Sequence, residues 1–303
     1  MLVILLRIEG VLVPNVTPFN QAGDLDLSAL RRLIDIWLDA GVSGFVVNAS
    51  TGEGPLLSRD EQITLIELML EEVDGRALVI AGTGSIGTRE TIEFTKDAND
   101  CGVDAALVVT PYFFKPSDEE VFHHYAMLMD SVDLPVILYN VPKFTGYSVK
   151  PKVIEKLSFE CDNLVGVKDS GGDISLIAEI IRLVNDRVSI LSGSADTFLP
   201  TMMLGGKGAI LAIANVFPEI CVRIYNAFRE GNYSEAGVLQ IKASFINKVL
   251  VKERNQIASI KAVMNYRKWY AGLPRRPLMP LPKGEDEILL NILRDLSLLS
   301  ERG

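Results

Sequence analysis

Basic residues are too few and too scattered in this 303-residue chain to make a nucleic-acid surface: 30 Lys and Arg stand against 39 Asp and Glu, for a net charge of -9, and no Lys/Arg-rich run occurs. Replacing the counterions of a polyanion needs a basic stripe, so no nucleic-acid partner is expected, while a local basic pocket for an anionic metabolite is compatible with the balance. Cysteine is scarce. Cys101, Cys161 and Cys221 stand alone, with no Cys-x-x-Cys spacing, which speaks against a disulfide framework or zinc site and for buried structural thiols in a cytoplasmic protein. Long hydrophobic runs are missing too. Residues 1–6 are apolar, but Arg7 and Glu9 end the run far short of the roughly 20 residues of a membrane span. It has no basic leading segment or small-residue cleavage site, so neither membrane association nor a signal peptide is expected. An extra strand or plug ahead of the first core strand is the expected use of residues 1–6. The two histidines, His123 and His124, are adjacent. On a helix they diverge by about 100° and cannot chelate one ion together, so a surface role is expected for both, with no metal and no cofactor.

What is present is an ordinary core: 48% apolar and 23% charged residues, enough to fill a globular interior. Short β-branched runs alternate with longer amphipathic stretches. Strands are expected at residues 11–16, 44–48, 77–81, 105–109, 135–139, 164–168, 188–191 and 209–213. Several are continuous apolar runs, as parallel strands covered on both faces must be. Between them lie helical patterns. Residues 26–40 carry Leu27, Leu30, Leu33, Ile34, Trp37 and Leu38 on one face and Arg31, Arg32 and Asp35 on another. Ser58 opens a Ser-x-x-Glu capping box with Glu61, and Thr88, Ser117 and Ser148 precede later helices in the same way. Each repeat has the size of one βα unit.

Eight such units imply an α/β fold, a (β/α)8 TIM barrel, rather than the competing doubly wound sheet. Notable polar residues fall at the C-terminal ends of nearly every strand, which favours the barrel. After the eighth strand only helical patterns follow, at residues 218–229, 234–251, 255–270 and 286–299, with a proline-rich turn at 273–283. A barrel domain over residues 1–229 and a C-terminal helical extension over 230–303 are therefore expected.

Three features carry chemistry. Lys168 ends an otherwise apolar strand, where alternation places Leu164, Gly166 and Lys168 on one face. Desolvation at a barrel mouth disfavours the ammonium and supplies neutral amine, which can attack a ketone and form an iminium; a salt bridge with Asp169 is the competing use. Tyr139 ends strand five at the same rim, one strand away. A phenol beside a cation is favoured toward phenolate and can move the protons that iminium chemistry requires. Ser50 and Thr51, in Asn48-Ala-Ser-Thr-Gly-Glu-Gly54 after strand two, offer hydroxyls and backbone N–H groups to a carboxylate, in a segment whose small residues allow close approach. The run Gly82-Thr-Gly-Ser-Ile-Gly87 fits a dinucleotide fingerprint in form, but the acidic ribose ligand after the next strand is missing, at Val109-Thr-Pro111.

Ser50-Thr-Gly-Glu53, Tyr139-Asn-Val-Pro142 and Gly166-Val-Lys-Asp169, on strands two, five and six, together resemble the dihydrodipicolinate synthase / N-acetylneuraminate lyase family. Gly82-Thr-Gly84 and Gly193 agree, and the resemblance extends from Val11 through Leu273-Pro-Arg-Arg-Pro277. It implies a pyruvate-dependent class I aldolase with Lys168 as Schiff-base lysine and Tyr139 as proton shuttle. It further implies Ser50 and Thr51 on the pyruvate carboxylate, the Ile210 backbone and Gly193 lining the pocket, small-molecule partners only, and a homotetramer built as a dimer of dimers.

The chain also departs from that pattern. Where the synthase lends a tyrosine from a neighbouring subunit to a proton relay, this sequence has Phe113, and Ser50 replaces the relay threonine. Where an arginine binds the carboxylate of the aldehyde substrate, it has Phe144. The Asp-Glu pair of the sialic acid lyases is reduced to Asp196. These departures lead to the expectation of retro-aldol cleavage of a 2-keto-3-deoxy sugar acid, with 2-keto-3-deoxygluconate aldolase-like members as the nearest fit. The alternatives are a 4-hydroxy-tetrahydrodipicolinate synthase with a rebuilt aldehyde pocket, in which Lys115 or Lys143 restores the missing charge, and a non-catalytic keto-acid-binding paralogue.

Overall fold

The computed structural model describes residues 6–299. Eight parallel strands close on one another in sequence order: β1 Gly10–Val13, β2 Gly44–Val47, β3 Leu78–Gly82, β4 Ala105–Val109, β5 Val136–Asn140, β6 Leu164–Asp169, β7 Ser189–Ser192 and β8 Gly208–Ile210. Helices α1 Leu27–Asp39, α2 Arg59–Val73, α3 Thr88–Cys101 and α4 Asp118–Ser131 follow the first four strands. A single turn α5 Pro142–Thr145, then α6 Pro151–Glu160, α7 Ile174–Val184, α8 Phe198–Met203 and α9 Pro218–Arg229 complete the ring. This is the expected TIM barrel. It closes where β8 meets β1, and the seam requires glycine: a Cβ on Gly208 would lie 2.0 Å from the Gly10 carbonyl oxygen.

The strands are buried on both faces, hence their unbroken apolar character. Leu12, Val46, Ile80, Leu107, Ile137, Leu191 and Ile210 fill the barrel interior, with Ile8 plugging it from the N-terminal side. Val11, Phe45, Val79, Val108, Leu138 and Val167 face outward against the helices. Of the plug expected at residues 1–6, only Leu6 lies in the described part, where it packs against the interior cluster that includes Ile8. The helices after Arg229 are α10 Tyr233–Asn247, α11 Gln256–Tyr266 and α12 Glu285–Asp295. Their Ile246, Ile260 and Leu293 belong to the same outer core as the barrel helices. A π-helical turn, Lys248–Lys252, leads out of α10.

Strand β6 holds an irregularity that simple alternation misses. Val136 pairs with Leu164, but Ile137 pairs with Gly166, so Val165 is an extra residue. Leu164 faces outward and Val165 inward. The expectation that Leu164 shares a face with Gly166 and Lys168 therefore fails at Leu164, because a β-bulge intervenes.

The caps at Ser58 and Ser117 form with both arms of the capping box, and Asp26 caps α1. Two others differ. Gly87 precedes α3, and the Thr88 hydroxyl instead meets His124 Nδ1 at 2.9 Å. Helix α6 opens at Pro151 after Lys150 rather than at Ser148, because proline suits a first helical position that has no N–H to satisfy. His124 is buried, contrary to the surface role expected of both histidines, and burial holds its imidazole down to about 4. Its neighbour His123 is exposed near Glu119. Cys221 is buried as expected, whereas Cys101 and Cys161 are only half-buried. Among the described residues no helix is long and apolar enough to cross a membrane, and no group of three or more His, Cys, Asp or Glu could hold a metal ion.

Candidate active site

Strands β5 and β6 place Tyr139 directly opposite Lys168. The Lys168 Nζ lies 4.0 Å from the centroid of the Tyr139 ring. Only 3% of Lys168 is exposed. Burial pushes its ammonium below the usual lysine range, and the Tyr139 oxygen opposes that shift only in part. Burial acts the other way on Tyr139 and would raise it. The Lys168 charge, with hydrogen bonds from the Ser50 and Ser170 hydroxyls and from Lys168, overcomes this and brings the phenol below its ordinary value. The two groups are thus drawn toward a shared proton, which is what an amine nucleophile and its acid–base partner need.

Asp169 does not take Lys168 as a partner. Alternation turns it outward, where Asn140 Nδ2 donates to its Oδ2 at 2.6 Å and the Gly171 N–H donates to its Oδ1 at 3.0 Å. Those bonds leave the Lys168 amine facing the barrel mouth.

A cavity of ≈ 130 Å³ opens above Lys168, and its lining includes Tyr139, Ser50, Thr51, Gly193, Ile210 and Phe144. Ser50 and Thr51 stand in a 3-10 turn, Ser50–Gly52, directly beyond β2. Gly193 follows β7, its N–H donating to the Asp169 carbonyl at 2.6 Å, and a Cβ there would fall 2.0 Å from the Ser170 hydroxyl. Glycine at 193 therefore keeps Ser170 beside Tyr139. Every sequence-predicted site residue is brought together here except Phe113. That residue adopts a left-handed φ of 77°, is 82% exposed and packs edge-on against Phe114, so within the single chain it does not reach the cavity. Phe144 is 54% exposed and forms part of the mouth. It also borders a larger cleft of ≈ 540 Å³ that includes Tyr112, Arg59 and Glu90.

The structure adds residues that sequence reasoning missed. Ser170 lies two positions beyond Lys168, and strand alternation extended past Asp169 would have found it. Asn247, Val251, Lys252 and Gln256 reach the same cavity from the C-terminal helices and the π-turn between them; no local pattern announces them. Asn247 Nδ2 donates to Asp196 Oδ2 at 3.0 Å, and Lys252 forms an ion pair with the same carboxylate. Of the two lysines considered for an anionic group, Lys143 lines the cavity and Lys115 does not. Among the described residues Lys143 makes no ion pair and stands 5.4 Å from the Phe144 ring.

The sequence profile of the Dihydrodipicolinate synthetase family matches residues 7–296. A 4-hydroxy-tetrahydrodipicolinate synthase from Methanopyrus kandleri is 37% identical over 298 residues, covering 98% of this chain and 99% of its own. The crystal structure of dihydrodipicolinate synthase from Thermotoga maritima superposes with a TM-score of 0.93 at 33% identity, covering 97% of this chain and 100% of that one. A prophage protein of the dihydrodipicolinic acid synthase family from E. coli K12, crystallised in complex with pyruvate, gives a TM-score of 0.90 at 30% identity over 96% of this chain and 99% of its own. None of these comparisons singles out the 2-keto-3-deoxygluconate aldolase branch that the sequence departures suggested. With the profile spanning nearly its whole length and an amine–phenol pair at its barrel mouth, the chain belongs to the dihydrodipicolinate synthetase family of pyruvate-dependent carbon–carbon lyases.

Proposed function

We propose that Lys168 forms a Schiff base with the C2 carbonyl of pyruvate and that the enamine derived from it makes or breaks a carbon–carbon bond to an aldehyde. The observation that carries this reading is the contact between the buried Lys168 amine and the Tyr139 phenol. The neutral amine adds to the carbonyl carbon, and Tyr139 gives a proton to the departing hydroxyl, which leaves as water. Loss of a C3 proton from the iminium yields the enamine, whose C3 attacks the aldehyde carbon; hydrolysis then frees Lys168. Cleavage runs the same steps backward. Ser50 and Thr51 hold the pyruvate carboxylate, while Gly193 and the Ile210 backbone shape the floor. Sodium borohydride added with pyruvate tests this directly: one reduced adduct on Lys168 is expected, and labelling elsewhere or none refutes it.

For the aldehyde, the relatives favour condensation with aspartate semialdehyde, since those at 36% and 37% identity over at least 95% of this chain are named 4-hydroxy-tetrahydrodipicolinate synthase. Lys143, which lines the cavity and makes no ion pair among the described residues, supports an acidic acceptor of this kind. Retro-aldol cleavage of a 2-keto-3-deoxy sugar acid is the second reading, and Phe144 favours it. Its ring offers no charge where an arginine would bind the semialdehyde carboxylate, whereas Ser170 and Asn247 present hydroxyl-binding groups to the cavity. Initial rates for aspartate semialdehyde with pyruvate, set against pyruvate release from 2-keto-3-deoxy acids, separate the two. We also carry forward, as proposals, a tetrameric assembly and a division between barrel and helical extension near Arg229.

A further inference from the structure

The Thr51 hydroxyl has one hydrogen and, among the described residues, a single recorded partner. Gln256 Nε2 donates to Thr51 Oγ1 at 3.0 Å, so the hydroxyl acts as an acceptor on that side. Its own hydrogen meets no acceptor among the described residues, although Thr51 is buried and borders the cavity above Lys168. A buried hydroxyl satisfied only as an acceptor leaves its donor to be used by whatever enters.

Both partners are held by one buried ion pair. Lys261 Nζ, on the same helix α11 as Gln256, lies 2.7 Å from Glu53 Oε1, and both side chains are at most 1% exposed. The ammonium also donates to the Thr17 and Leu273 carbonyls at 2.8 and 3.0 Å. Glu53 is two residues beyond Thr51, and its Oε2 accepts from the Arg275 N–H at 2.8 Å. Between them the Gly52 carbonyl accepts from the Thr17 hydroxyl at 2.6 Å. The backbone on the far side of Thr51 and the start of α11 are thus fixed relative to each other, and the remaining freedom is the rotation of the Thr51 O–H.

We propose that Gln256 is a positioning residue: by donating to Thr51 Oγ1 it fixes the Thr51 hydroxyl as a donor aimed at the carboxylate of the bound 2-keto acid. This rests on the reading that Ser50 and Thr51 hold that carboxylate. It gives the C-terminal helices a role in substrate affinity without placing them on the reacting atoms.

The test is the pyruvate concentration dependence of borohydride trapping on Lys168 in the full-length protein, with thermal melting as a check on folding. Gln256→Met keeps the length of the side chain and deletes its donor. Half-saturation is expected to rise on the order of tenfold, as for loss of a hydrogen bond to a charged group, with Lys168 still fully labelled at high pyruvate. Gln256→Glu turns the donor into an acceptor that captures the Thr51 hydrogen and repels the anion, so its rise is larger. Thr51→Val is expected to match Gln256→Met in direction, and the double variant to be no worse than Thr51→Val alone. Acetone, a ketone without a carboxylate, should trap equally in wild type and Gln256→Met. Unchanged half-saturation in Gln256→Met, additive losses in the double variant, or an equal loss with acetone each overturn the inference while leaving the Schiff base intact. Absence of any trapping in the wild-type protein overturns the Schiff-base reading, and the inference with it.

Discussion

Tyr139→Phe separates the hydroxyl of the site from its ring. The ring stays, so the approach of Lys168 Nζ to its centroid at 4.0 Å survives and the packing around it is preserved. What is lost is the phenol oxygen, shared with Lys168, Ser50 and Ser170. Removing a buried hydrogen-bonding group of this kind costs about 1–3 kcal/mol of stability, because Ser50 and Ser170 keep their polar groups without that partner. The kinetic loss is larger: without its proton shuttle, turnover should fall about 10²–10⁴-fold, equivalent to about 2.7–5.4 kcal/mol in the barrier. Lys168 meanwhile loses the oxygen that opposed its desolvation, so its amine moves further down and more of it is neutral. Trapping by borohydride should therefore still go to completion, only slowly. The pH profile changes with it. In the wild-type protein, rising pH frees the Lys168 amine, which sets the acid limb, and removes the Tyr139 proton, which sets the alkaline limb, with both groups held below their ordinary values. In Tyr139→Phe the alkaline limb should vanish while the acid limb remains and shifts to lower pH. Stopped-flow measurement of adduct formation against pH checks both limbs. A Tyr139→Phe variant with wild-type rates, or with its alkaline limb intact, would remove Tyr139 from the proton path.

Lys168→Arg should abolish the borohydride adduct altogether; a label on Lys261, the other buried lysine with a lowered pKa, would show that the wrong amine has been chosen. Glu53→Gln leaves the Lys261 ammonium buried without its counter-charge and should destabilise the fold by about 3–5 kcal/mol, read from urea midpoints; a loss under ~1 kcal/mol would mean that the carbonyls of Thr17 and Leu273 suffice. Phe144→Arg should favour a carboxylate-bearing aldehyde over a neutral one by about 10–100-fold in kcat/KM, following the worth of one charge-assisted bond. An unmoved ratio would mean that the acceptor end of the site lies elsewhere.

The barrel was legible because each of its units obeys local rules. Parallel strands covered on both sides are written as apolar runs, and capping boxes mark helix starts at Ser58 and Ser117. Lys168, Tyr139, Ser50 and Thr51 were legible because they end strands, where a barrel collects its chemistry. Residues placed by long-range packing were not. Gln256 and Asn247 meet the cavity only because the last helices share the barrel's outer core, and nothing within a few residues of either signals that. His124 was misjudged because adjacency on a helix says only that one of two neighbours differs in direction from the other, not which one faces inward. Phe113 was assigned to the site by analogy with a residue that a second subunit receives, and the single chain leaves it outside.

The extra residue in β6 settles which way the reactive amine points. Facing direction along a strand is a matter of parity, and Leu164 points outward. Counted two by two from there, Gly166 and Lys168 would point outward as well, among the helices. Val165 breaks the count, and from Gly166 onward odd and even exchange faces. Straightening the bulge with Val165 retained would therefore turn the lysine toward the helices and put Val167 in the mouth, whereas deleting Val165 would restore plain alternation and leave Lys168 facing inward. The direction of the reactive amine depends on the bulge absorbing its extra residue, so that the strand beyond it keeps the parity that the mouth requires.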